Sequence, residues 1–178
     1  KVTEQVLATQ PDHAEAMVWH GSGMFFLSGR YFQQGDSQKG MELWTRSLAM
    51  MDRAVALAPS NVGVRIPRGA VLLSASRFVP PDMRKQLLDR AFSDYNHSFE
   101  LQKDRIATMP THPKGELLSG LAEMHELSGR APESKALLQQ IVREMAGSPY
   151  SRRAEKWLAE GMPAPAQRNC IGCHTPSN

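Results

Sequence analysis

The chain has 178 residues, 41% hydrophobic and 22% charged, which are ordinary globular proportions and enough for one sizeable core. Its formal net charge of +3 comes from Lys and Arg interleaved with Asp and Glu, so charge predicts no nucleic-acid surface. No apolar run approaches the length of a membrane span, and nothing at Lys1 reads as a signal peptide.

Residues 1–10 read as the tail of a helix whose partner is missing, the pattern of a fragment or a half repeat. A repeating unit then starts at each of Pro11, Pro59 and Pro110. Seven residues past these prolines stand Val18, Ile66 and Leu117. Ten past them stand Gly21, Gly69 and Gly120, and fourteen past them Phe25, Leu73 and Met124. With Ser22, Ala70 and Leu121 between, these offsets trace one buried helix face, and the glycine within it admits a close neighbour. Pro67 is tolerated in the second unit only if its helix starts nearby.

Each unit continues into a second helix. Asp36 or Ser37 caps the first of these, whose apolar side is Met41, Trp44, Leu48, Met51 and Val55. After Pro80-Pro81 the next carries Leu88, Phe92, Tyr95 and Phe99, and Pro132 opens a third with Ala136, Leu137, Ile141 and Met145. A last helix, 151–160, holds Ala154, Trp157 and Leu158. No period-2 segment competes, so the expected fold is all-α, an antiparallel helix-hairpin array over 1–160 with a tail over 161–178.

The array resembles the tetratricopeptide repeat family. Trp19-x2-Ser22-Gly23-x2-Phe26 is similar to that family's first-helix signature, and Ala54…Pro59 to its second-helix ending. The proline spacings of 48 (Pro11 to Pro59), 51 (Pro59 to Pro110) and 39 residues (Pro110 to Pro149) exceed the family's usual ~34, so helices are extended or loops carry insertions.

The tail holds Cys170-Ile171-Gly172-Cys173-His174, with both cysteines of the chain. C-x-x-C-H is the attachment motif of c-type haem: two thiols add to the haem vinyl groups and the adjacent histidine takes an axial position on iron. A structural zinc site needs four ligands and finds no second cysteine pair. A redox dithiol needs a strand-to-helix setting, and a disulfide across so short a loop stabilises little. The expected cofactor is one haem c per chain, with Cys170 and Cys173 as covalent anchors and His174 on the iron. The stiff linker 161–166 and short tail cannot wrap a haem alone, so one haem face is expected against helices of this or another subunit. The combination resembles bacterial periplasmic proteins whose divergent tetratricopeptide helices end in such a tail. That implies a periplasmic or secreted protein, with an export signal once ahead of Lys1.

His20 is the first candidate for the second axial ligand. It lies off the Val18–Phe25 stripe, on a second apolar face continued by Met24 and Leu27, where the third unit has polar Ser119, Glu123 and Glu126. His112 is the alternative. It shares with His13 and Asn61 a place two residues after an inter-repeat proline, where polar residues commonly cap or turn. His97 and His125 read as solvated, and Met24 and Met162 are weaker ligand candidates. Arg65 and Arg68 can meet haem propionates, or simply form a solvated face. The expected function is a mono-haem c-type cytochrome for electron transfer or redox-linked interaction with a protein redox or assembly partner, and no nucleophile–base pair, phosphate loop or paired carboxylates point to catalysis independent of the haem. The chain is expected to form a homo-oligomer, because a haem on a surface exposes apolar area. A protein-binding module with an accessory haem, or a haem gas sensor or enzyme with an open sixth position, are the alternatives.

Overall fold

The structure, a computed structural model, describes residues 2–164; Cys170, Cys173 and His174 lie outside them. The described residues form eight α-helices and one 3-10 helix: α1 (Val2–Thr9), α2 (Ala14–Gln33), α3 (Ser37–Leu57), α4 (Val62–Ala75), α5 (Pro81–Gln102), the 3-10 helix Lys103–Thr108, α6 (Thr111–Leu127), α7 (Ala131–Glu144) and α8 (Pro149–Glu160). The expected all-α hairpin array is what forms. It divides into two compact units, Lys1–Ala75 and Ser76–Asn178, a boundary inside the array that the repeat pattern did not mark.

Local chemistry places the helix ends. Asp36 caps α3, its carboxylate accepting from Lys39 N at 3.0 Å. Ser148 caps α8 in the same way, accepting from Ser151 N at 3.1 Å. Gly35 and Gly129 follow α2 and α6 with φ of 84° and 73°, the left-handed region that stops a helix cheaply only at glycine.

In the first unit α2 and α3 form a close hairpin, α4 packs on both, and α1 packs on α2. The stripe glycine works as expected: a methyl group on Gly21 would crowd Met51 Cγ at 2.8 Å and Ser47 O at 3.1 Å. In the second unit α6 packs against α5, α7 and α8. Here Gly120 lies against the ring of Tyr95, on the helix before it rather than the one after it.

Several buried faces differ from expectation. On α3 the core side is Gly40, Leu43, Ser47, Met51, Ala54 and Val55, and Met41 is exposed. On α5 it is Leu87, Ala91, Asp94, Tyr95 and Ser98. On α7 Ser134 and Leu138 are buried with Ile141 while Ala136 is exposed, and on α8 Tyr150 and Ser151 are buried while Leu158 is exposed. Small residues let helices approach, and two of the serines return their hydroxyls to their own backbone, Ser47 Oγ to Trp44 O at 2.8 Å and Ser98 Oγ to Asp94 O at 2.8 Å. Ser151 Oγ donates instead to Glu155 Oε1 at 2.9 Å, and Ser134 Oγ has no hydrogen-bond partner among the described residues. Pro67 sits in the second turn of α4, whose start at Val62 is earlier than the proline suggests. Burial of Val64, Gly69 and Leu72 carries the helix through it. No described helix is long and apolar enough to cross a membrane.

Candidate functional site

The three positions that follow the inter-repeat prolines are chemically different. His13 is the N-cap of α2, its Nδ1 accepting from Ala16 N at 3.2 Å. Asn61 turns the chain into α4, its Oδ1 accepting from Gly63 N at 2.8 Å. His112 does neither. It lies in the first turn of α6, which has no side-chain cap, and its Nδ1 meets Tyr150 Oη of α8 at 2.7 Å. The Tyr150 hydroxyl donates to Glu116 Oε1 at 2.6 Å. Tyr150 has one proton to give, and the carboxylate is the stronger acceptor. With that proton given to Glu116, His112 Nδ1–H donates to the Tyr150 oxygen. The His112 side chain is otherwise exposed.

The packing that holds this array is tight. The Tyr150 ring lies across Gly115, where a methyl group would stand 2.5 Å from Cγ and Cδ2. Tyr150 is only 4% exposed, so its hydroxyl has little freedom. Glu116 follows His112 by one helical turn, which puts both on one face of α6. Tyr150 and Glu116 were missed by sequence reasoning. The His112-x3-Glu116 spacing is a signal for Glu116 alone; nothing local pointed to Tyr150, 38 positions from His112.

His20 sits half-buried on α2 with its Nδ1 3.3 Å from Thr3 Oγ1 of α1. The second apolar face is real in part. Met17 and Met24 are buried and line an open groove of about 280 Å³ with Ala49, Met50, Arg46 and Arg53, whereas Leu27 is exposed. The contrast with the third unit fails at one residue: Glu123 is buried and pairs with Arg77 at 2.8 Å. A polar letter on that face marks a buried ion pair, not a solvated side.

Neither of the histidines read as solvated is so. Nε2 of His97 and Nδ1 of His125 are buried and have no hydrogen-bond partner among the described residues. His125 stands edge-on to Phe92 at 5.3 Å, and burial, followed by the charge of Arg130, holds its pKa below the ordinary histidine value. Of the two arginines, Arg68 is mostly buried and donates to Asp52 at 3.0 Å, and Arg65 Nε donates to Pro59 O at 2.5 Å.

Among the described residues no three His, Cys, Asp or Glu side chains cluster as a self-sufficient metal site. A second feature stands on α2: Trp19 and Phe26 are 57% and 63% exposed, and Gly23 between them has open space above it. No family model, no curated protein and no solved structure matches this chain.

Proposed function

We propose that this protein is a mono-haem c-type cytochrome built on a tetratricopeptide-like helical scaffold, working outside the cytoplasm in the periplasm or as a secreted protein. The observation that carries the reading is the Cys170-x-x-Cys173-His174 run, which uses both cysteines of the chain. Bound there, the haem supplies one-electron exchange with a protein redox partner. The chain's residues anchor it through Cys170 and Cys173, ligate it through His174 and give it a helical support. His112 is the residue we favour for a second axial contact, because its Nδ1 is held by Tyr150 while its ring is exposed.

The test is mass spectrometry of the full chain made with a periplasmic haem-attachment system. It should gain the mass of one haem and keep it through denaturation, and Cys170→Ala with Cys173→Ala should lose it. Covalent haem persisting in that double variant, or none in the unmutated chain, overturns the reading.

The exposed Trp19 and Phe26 favour a second role, self-association through α2. Light scattering at micromolar concentration should show more than one chain per particle, reduced by Trp19→Glu with Phe26→Glu. A monomer throughout removes that role.

A further inference from the structure

We infer that two copies of this chain pair through α2 in antiparallel register and cross at Gly23. In that pairing Trp19 of each copy lies against Phe26 of the other, and Glu15 of each against Arg30 of the other. The inference rests on the self-association reading above and names the symmetry and the residues of that contact.

Glu15, Trp19, Gly23, Phe26 and Arg30 fall within about 80° of one another around α2. All five are exposed, and so is Leu27 at the edge of the strip. Two large aromatic side chains in the middle with charges only at the ends is the anatomy of an interface, an apolar centre inside a polar rim.

The order of residues along the strip is self-complementary. Trp19 and Phe26 stand about 5 Å to either side of a point between Ser22 and Gly23, and Glu15 and Arg30 about 11 Å to either side. A two-fold axis through that point brings each residue level with its complement on the second copy, the isologous contact that closed dimers use. Parallel pairing sets Glu15 beside Glu15 and Arg30 beside Arg30, and like charges at both ends reject it.

The side chains suit this arrangement. Arg30 makes no ion pair or side-chain hydrogen bond among the described residues. Glu15 Oε1 accepts from Asn61 Nδ2 at 2.9 Å, which steadies the carboxylate while its other oxygen can meet a guanidinium. At Gly23 a methyl group would meet nothing within 4 Å, so the bare backbone at the crossing is not a demand of the chain's own packing. There it lets the two helices approach until the aromatic rings touch. A single helix crossing covers less than the ~1,600 Å² of a standard interface, so the dissociation constant is expected in the micromolar range.

Sedimentation equilibrium of the full chain measures that constant for the unmutated protein, Glu15→Arg, Arg30→Glu, the double exchange and Gly23→Leu. Each single reversal should weaken pairing about tenfold, because it sets like charges together at both ends. The double exchange should bring the constant back to within about threefold, since the charges are again complementary. Gly23→Leu should weaken pairing at least about tenfold with no loss of thermal stability, because leucine is the better helix former and meets nothing within the chain. Circular dichroism should show the same helical content in all five. A dimer that ignores the single reversals, is not recovered by the double exchange, or tolerates Gly23→Leu overturns this register and leaves self-association standing. A monomer throughout overturns self-association and this pairing with it, and leaves the strip to a different protein.

Discussion

Lys114 is 4% exposed, and its ammonium reaches Glu144 Oε2 at 2.5 Å. That hydrogen bond holds the Glu144 carboxyl below the ordinary glutamate value, with burial opposing it. A carboxylate whose folded pKa is depressed stabilises the fold above its unfolded pKa and loses that contribution as pH falls through the folded value. Glu144→Gln should therefore flatten the loss of stability below about pH 4.5 and cost about 2 kcal/mol at pH 7. That cost is less than for a fully buried pair, because Glu144 is 32% exposed. Chemical denaturation at pH 4 and 7 checks both. His125 acts in a separate window. Its folded pKa is depressed, so the fold binds fewer protons than the unfolded chain, and stability falls as pH drops below about 6.5. His125→Phe, which keeps a ring against Phe92, should shrink the difference between denaturation midpoints at pH 5.5 and 7.5. An unchanged difference would assign the titration elsewhere. Glu123 makes the same point about polar letters. Glu123→Gln should cost about 3 kcal/mol by leaving Arg77 short of its counter-charge, and adding Arg77→Met should recover much of it in a double-mutant cycle.

At the scale of helices, close approach decides the packing. A methyl group on Gly120 would overlap the ring of Tyr95, itself 3% exposed, so Gly120→Ala should cost about 2–3 kcal/mol in urea denaturation. Tyr95→Leu in the same chain should return part of that. An additive pair would mean that α5 and α6 do not meet at these residues. The glycine stripe was legible because offsets of 7, 10, 11 and 14 from each proline share one face. The faces of α3, α5 and α7 were legible only in part: Met51, Val55, Tyr95 and Ile141 are buried as their stripes implied, but Gly40, Ser47, Ser98 and Ser134 also occupy buried positions while Met41 and Ala136 face outward. Hydrophobicity marks what can be buried. Which small residue lies under a neighbouring helix depends on the neighbour.

At the scale of the whole chain, the division between Ala75 and Ser76 falls beside the turn that carries Phe78, which is 81% exposed. Brief chymotrypsin treatment should cut first at Phe78 and give two fragments of about 78 and 100 residues, since exposed turn segments are cleaved before packed helices. Mass spectrometry of the early products checks this. First cleavage inside α2 or α6 would show that the turn is better protected than its exposure implies.

By itself the sequence determined the all-helical array, the repeat start points and the cap at Asp36, because each depends on local spacing or on chemistry within one short segment, and the proposed haem attachment rests on one such segment too. Only the tertiary structure decided that His112 meets Tyr150, that Glu123 is paired, and that the array divides at Ala75. Residues 38 and 46 positions apart are brought together by packing, and no local period records which partner a side chain will meet.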